Sequence, residues 1–483
     1  MTACGNLPSD VQRTNSASLA ARAPGHPGQE RRPGVLLFNP FAEGYIARGQ
    51  AFTPVKDQVL LAEDLANLPQ FLGEPGDIVL VTKRPSSGLL HTLGQAGFPL
   101  PEFVELRHGQ IDPGSGLGRR EFRGLRPWAW GPDSVRLLEP LFDRVLGERR
   151  LANQHFNDDI AELYSKAWSA GFLRKVLARC RAEPAHDIPG NAATARWLCS
   201  EDEVGRVVDT LNDALEAIAA IRSRGHHRVV VKAAHGLAGQ NAIRLWEPEL
   251  LPAQRRWLAH ALSDSRRLVV EPWLERALDF SVQLEMEPHG LELRGCTGLV
   301  NDRKGQFQAN WAETDYRRRL PARVGALLGQ APDTVRGLEW LYVEIISLLE
   351  AELRRVRFLG PIGIDALVYR TPEGTCRLKP VVEINPRYTM GRLTVELMRR
   401  ASPDCRGWFR LVTRVQARAE GFADLATYAD SLSQRLPLRL EGEPAPRIAQ
   451  GALCLNEPGQ ARVCLATFEV NPVLRRPGSP GDH

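Results

Sequence analysis

Two segments carry residue types that suit a hard oxygen site. The first is Gly360-Pro-Ile-Gly-Ile-Asp-Ala-Leu-Val-Tyr369, which alternates as a strand does. Ile362, Ile364, Ala366 and Val368 take one face, and Asp365 shares the other with Leu367 and Tyr369. The second is Val381-Val-Glu-Ile-Asn385, where Glu383 and Asn385 share a face by the same period of two. A turn with an odd number of residues, such as Pro372-Glu-Gly374, pairs Asp365 with Val381. Glu383 is then its diagonal neighbour, at about 7–8 Å. An even turn puts the two carboxylates on opposite faces, unless a bulge at Pro380 restores the parity. Two carboxylates and an amide oxygen suit Mg²⁺ (or Mn²⁺), with water and substrate phosphates filling the remaining positions. The plain alternative is a solvated hairpin face.

A second feature is the lysine that ends Val229-Val-Val-Lys232, before Ala-Ala-His-Gly-Leu-Ala-Gly239. A loop with Gly236 and Gly239 lets backbone N–H groups approach phosphates, while Lys232 supplies a point charge. It is not a Walker A loop, which needs G-K-[ST]. The alternative is a strand-end lysine that carries its ammonium into water. A third feature is Leu268-Val-Val-Glu-Pro-Trp-Leu274, a strand that runs into Glu271-Pro272. Such a linker offers backbone N–H and C=O to an adenine edge, or is a plain connection between strands.

The elements that must position these residues follow from periodicity. Apolar runs predict buried strands at 34–39, 76–82 and 102–106, with helices at 56–68 and 86–94 between them. The Gly-rich stretch 112–118 lacks a G-x-G-x-x-G opening a helix and reads as a loop. Residues 160–177 and 201–221 read as helices, the second opened by the S-x-x-E box Ser200-Glu-Asp-Glu203. Strands are expected at 228–232, 241–245 and 267–271, with a helix at 249–262. Residues 279–287 and 291–299 alternate like an antiparallel pair, a helix spans 333–355, and from about 405 the chain reads as helical, then short strands.

At 483 residues, ~150 per domain gives roughly three domains. A charged fraction of 25% and 43% hydrophobic residues exclude collagen-like, coiled-coil and wholly disordered chains. The net charge of +5 is no footprint for nucleic acid. No run of 18 apolar residues predicts a spanning helix. The eight cysteines form no C-x-x-C pair and read as reduced, mostly buried thiols of a cytoplasmic protein.

Taken in order, Lys232 with its loop, Glu-Pro-Trp-Leu274, and Asp365 with Glu383-Ile-Asn385-Pro-Arg387 resemble the ATP-grasp superfamily over about residues 160–400. The likeness is to ligases that join a carboxylate, of an amino acid or peptide, to an amine. The resemblance implies a mixed α/β and α+β fold: an N-terminal α/β (pre-ATP-grasp, Rossmann-like) domain, then a nucleotide clamp. The expected divisions are a tail at 1–33, the N-terminal domain at 34–150, and a helical linker with the start of the central subdomain at 151–227. The central subdomain follows at 228–275, the metal-bearing C-terminal subdomain at 276–405, an accessory region at 406–474 and a tail at 475–483.

The resemblance puts Lys232, with His235, Gly236 and Gly239 in its loop, on the ATP phosphates. Glu271, Trp273 and Leu274 would lie at the adenine and Asp279 near the ribose. Asp365, Glu383 and Asn385 would hold Mg²⁺, and Arg387 would face the reacting phosphoryl or acyl group. The second lysine usual in that superfamily is Lys166, with Lys175 as its rival. The loop at 233–240 has fewer glycines than is common there, which leaves its closure over ATP open. Arg392, Arg294, Lys304 and His235 are candidates for substrate carboxylates, or simply surface charge. The implied partners are small-molecule carboxylate and amine substrates, without nucleic acid or membrane, and a homodimer is open. Other readings are an ATP-grasp carboxylase or phosphotransferase, or a non-catalytic nucleotide-binding module.

Overall fold

The computed structural model describes residues 32–147, 150–182, 196–236, 242–263, 266–302, 307–314, 316–329, 332–442 and 444–473. Most of both expected tails lies outside these residues.

The apolar runs β1 (Gly34–Leu37) and β2 (Ile78–Val81) are wholly buried. Continuous apolar runs of this kind suit parallel strands covered on both faces. With β3 (Glu102–Glu105) and β4 (Gly124–Pro127) they form a parallel sheet ordered β3-β2-β1-β4. The helices α1 (Ala42–Arg48), α2 (Lys56–Asp64), α3 (Ser87–Gln95) and α4 (Pro132–Leu138) accompany it. Ser86 caps α3, its hydroxyl accepting the Leu89 N–H at 3.1 Å. Neither β4, a short G-L-R-P run, nor α1 is marked by apolar patterning. The strand order reverses at β1, with β2 and β3 added on one side and β4 on the other.

The expected helix 160–177 is two helices, α5 (Asp158–Leu163) and α6 (Lys166–Ala182). The break lies at Tyr164-Ser165, where the buried Tyr164 hydroxyl reaches the carbonyls of Trp130 and Pro386 at 2.9 and 3.0 Å. The expected helix 201–221 needs a larger correction. Glu203 does reach back to the Ser200 N–H at 2.7 Å, but that box closes only a 3-10 turn. The chain then enters β5 (Arg206–Val208), and the helix proper, Leu211–Ser223, opens at Thr210. Gly205 explains the break, since a Cβ there would lie 2.4 Å from Val269.

β5 joins β6 (Val229–Ala233), β7 (Ala242–Leu245) and β8 (Leu268–Pro272) in a small antiparallel sheet ordered β5-β8-β6-β7. The helices Leu211–Ser223 and Pro252–Ala261 cover its apolar side.

A nine-stranded sheet holds the rest. Its strands are β9 (Glu275–Glu287), β10 (Gly290–Asn301), β11 (Phe307–Glu313), β12 (Gly360–Arg370), β13 (Cys376–Asn385), β14 (Cys405–Thr413), β15 (Arg439–Glu441), β16 (Arg447–Cys454) and β17 (Cys464–Pro472). Their order is β13-β12-β9-β10-β11-β14-β17-β16-β15. Residues from 405 onward thus begin as a strand paired to β11, not as a helix, and the strands that follow continue the sheet. On β9 the alternate residues Phe280, Val282, Leu284 and Met286 enter the main core. There they join Phe172 and Leu173 of α6 and Leu341, Ile345 and Leu349 of the helix Pro332–Arg355. Asp279, Ser281, Gln283 and Glu285 take the opposite face.

Candidate active site

The β12–β13 hairpin turns through Thr371–Thr375, with the Thr371 N–H on the Thr375 carbonyl at 2.8 Å. That five-residue turn sets Arg370 opposite Cys376, and the register holds as far as Leu367 opposite Lys379. β13 then carries two extra residues across Pro380–Val382, and Asp365 stands directly opposite Glu383. The two carboxylates are therefore direct rather than diagonal partners. Gly363 faces Asn385, and on its other side Asp365 faces Ser281 of β9.

Two like charges opposite each other in a buried setting do not both stay ionised cheaply. Burial, and then the Glu383 charge, push the Asp365 carboxyl up to about 6, against the pull of Ser281, Arg387 and Asn385. Burial works the same way on Glu383, but the Lys166 ammonium 2.9 Å away, with Lys232 and Arg387, holds that carboxyl below its ordinary value. Asn385 Nδ2 donates to Asp365 at 3.1 Å. Its Oδ1 accepts from Arg387 at 2.9 Å, which leaves a second lone pair.

This donor set fits a hard divalent cation. Two carboxylates and an amide share one face. Among the described residues no group of three or more His, Cys, Asp or Glu is placed to hold a metal. An ion on these three residues would thus depend on substrate oxygens to complete its shell.

Lys166 opens α6 and is the link between parts. Its Nζ contacts Glu383 at 2.9 Å and the Gly236 carbonyl at 3.2 Å, and its backbone N–H meets the Ala234 carbonyl at 2.8 Å. Lys175 instead pairs with Glu352 at 2.5 Å on the outer side of α6. Of the two, Lys166 is the lysine brought to the acids. Lys232 ends the buried part of β6 and pairs with Glu271. His235 is half-buried in the following loop, where desolvation lowers its pKa. Gly239 and Lys304 lie outside the described residues.

Glu271 is 7% exposed and both of its oxygens are engaged, one by Lys232 and one by Lys379 at 2.7 Å. Desolvation opposes its charge, yet the two lysines hold the carboxyl down at about 2. The Trp273 N–H is taken by the Arg228 carbonyl at 2.8 Å. Its ring lies beneath the cations of Arg244 and Arg276 and 6.2 Å from Trp246. Leu274 is buried in the main core. Asp279 shares the Asp365 face and accepts from Arg276 at 3.2 Å and Asn301 at 3.0 Å.

Arg387 is tied by its Nε to Glu43 of α1 at 2.6 Å and by a second nitrogen to the Tyr388 carbonyl at 3.2 Å. Two candidates for substrate carboxylates already have acidic partners. Arg392 is buried between Glu285 at 2.5 Å and Glu396 at 2.9 Å. Arg294 is held by Glu287 and Glu292 at 2.9 and 3.0 Å, toward the far end of the β9–β10 hairpin.

Lys379, Ser281 and Glu43 were missed from sequence. Lys379 carried a signal, a lysine inside the apolar run Leu378-Lys-Pro-Val-Val382. Glu43 carried none, because only the docking of α1 brings it to Arg387. A separate cavity of about 540 Å³ between the end of β2 and the loop 457–462 shares no residue with this site.

The α/β unit is thus followed by two antiparallel sheets, with Lys166 and Lys232 beside the acid-bearing hairpin. Several solved structures are similar to this chain. N5-carboxyaminoimidazole synthetase from Staphylococcus aureus, complexed with ADP, gives a TM-score of 0.44 at 10% identity, covering 91% of this chain and 93% of that one. The corresponding synthase from Aspergillus clavatus, with ADP and an aminoimidazole ribonucleotide, gives 0.40 at 10%, covering 90% and 93%. A biotin carboxylase–ATP complex from Campylobacter jejuni gives 0.43 at 11%, covering 91% and 87%. No family model and no curated protein matches the sequence.

Proposed function

We propose that this chain is an ATP-dependent ligase that joins a carboxylate to an amine, with Mg²⁺ at Asp365, Glu383 and Asn385. The observation that carries the reading is the Lys166–Glu383 contact at 2.9 Å. It brings a lysine that also reaches the loop after β6 onto the acid-bearing hairpin, so phosphate-binding and metal-binding residue types meet at one place. Lys166 and Lys232 would grip the ATP phosphates. Mg²⁺, when bound, would neutralise phosphate charge during transfer.

Phosphoryl transfer needs positioning and charge neutralisation more than covalent help from the protein. In this reading the substrate carboxylate attacks the γ-phosphorus, ADP leaves, and the amine nitrogen displaces phosphate from the acyl phosphate. Arg387, oriented by Glu43 and Asn385, keeps part of its donor fork for the transferred group. It stands at the carboxyl ends of β1 and β4, bridged to Ala129. Open α/β sheets bind ligands at the carboxyl ends of their strands where the order reverses, which supports placing the acid and amine there. Amino acids and peptides are the substrate class the sequence resemblance favours.

The test is a screen of amino acids, small peptides and other acids with amines, reading ADP release and the mass of the amide product. ADP formed without any amide would reject ligation in favour of phosphotransfer or carboxylation. ATP binding with no turnover across the screen would favour a non-catalytic module.

A further inference from the structure

Glu271 of β8 stands between two lysines from different sheets. Lys232 comes from the neighbouring strand β6, and Lys379 comes from β13 of the large sheet. The lysines differ in access. The Lys232 side chain is 24% exposed, whereas that of Lys379 is 4% exposed. Lys379 also donates to the Glu203 carbonyl at 3.1 Å. The Glu203 carboxylate is itself fixed by the Tyr369 hydroxyl at 2.6 Å and the Ser200 N–H at 2.7 Å. Lys379 is therefore held in place, and Lys232 is the one with room to move.

We propose that Lys379 is a positioning residue whose pairing with Glu271 frees Lys232 to bind nucleotide phosphates. The inference rests on the proposed role of Lys232 toward ATP. A buried carboxylate that loses its only cation is left uncompensated, the costly outcome of breaking a buried pair. With Lys232 alone on Glu271, phosphate would have to compete against that outcome. With Lys379 at 2.7 Å, Glu271 keeps a partner when Lys232 turns away. The low pKa of Glu271 agrees with this, since both lysines sustain its charge. Lys379 itself touches no nucleotide in this account.

The test is calorimetric binding of ATP, ADP and adenosine to the full chain. Lys379→Met should weaken ATP and ADP about tenfold or more while leaving adenosine within about threefold. Lys379→Arg should retain ATP affinity. Unchanged ATP affinity in Lys379→Met would overturn the proposal. Equal losses of ATP and adenosine would also overturn it, by showing that Lys379 only supports the fold. If Lys379→Met does not fold, Lys379→Gln serves the same comparison. A wild-type chain that fails to bind ATP rejects the functional reading as well, which distinguishes the two failures.

Discussion

Protonation of Asp365 should govern cation binding. Its carboxyl lies at about 6, against an ordinary 3.8, with burial the main cause and the facing Glu383 the next. Glu383 keeps its charge through Lys166, so Asp365 is the group that takes up the proton. A folded-state value above the unfolded one means that protonation stabilises the fold. That stabilisation is complete below the unfolded value and is lost as pH rises through about 6. A shift of roughly two units corresponds to about 3 kcal/mol. Mg²⁺ must displace this proton, so its apparent affinity should fall about tenfold from pH 7.5 to pH 5.0.

Calorimetry in two buffers of different ionisation enthalpy counts the protons. About 0.8 should be released per Mg²⁺ bound at pH 5.5 and almost none at 7.5. The Asp365→Asn chain is the blank that carries any titration of the nucleotide. Without metal, the wild-type Tm should rise relative to Asp365→Asn as pH falls from 7 to 5. Mg²⁺ affinity independent of pH over this range, or wild-type and variant Tm moving in parallel, would refute the reasoning.

Other outcomes follow from single contacts. Lys232→Ala should weaken ATP binding by on the order of 1.5–3 kcal/mol, about 10- to 150-fold, measured by calorimetry. Glu43→Gln removes the charge that holds Arg387 and should lower kcat by up to about 100-fold with ATP affinity unchanged, measured by steady-state kinetics and calorimetry. Arg387→Lys should likewise keep ATP affinity and lose turnover, since a point charge does not replace a planar fork. With ¹⁸O-labelled acid, one label should appear in released phosphate. Label in AMP would replace the acyl phosphate with an adenylate.

The sequence exposed those parts of the fold that rest on local patterning. β1, β2 and β9 to β13 follow from apolar runs or strict alternation, although β11 lies in a stretch with neither and was not anticipated. The odd turn that sets the hairpin register was also legible in Thr371-Pro-Glu-Gly-Thr375. What escaped depends on contacts made after folding. The two-residue slip at Pro380–Val382 is decided by how β13 packs, and it converts a diagonal carboxylate pair into a direct one. The capping box at Ser200 was real but served a turn, because Gly205 must pass close to Val269. Arg392 and Arg294 looked available because sequence does not show Glu285 and Glu287 closing on them.

In the proposed assignment, with Arg387 toward the acyl group and Lys166 and Lys232 toward the ATP phosphates, the two ends of the site are built differently. At the acyl end, Arg387 sits in a segment fastened to the parallel sheet along its length. The Tyr388 N–H meets the Trp128 carbonyl at 2.8 Å, Tyr164 joins Trp130 to Pro386, and Glu43 holds the guanidinium. Arg126 of β4 adds its own hydrogen bond to the Tyr388 hydroxyl at 3.0 Å. Moving Arg387 would break several of these ties together, so its donors are pre-oriented before any substrate arrives. At the nucleotide end, the contacts are ion pairs that phosphate can replace, Lys166 on Glu383 and Lys232 on Glu271. Both lysines already face carboxylates, and both carboxylates have a second cation near them, Arg387 for Glu383 and Lys379 for Glu271. Binding an anion there exchanges one charge partner for another instead of stripping a buried charge bare. A fixed acceptor end and an exchangeable phosphate end suit a reaction in which ATP must enter, react and leave while the acyl group stays in register.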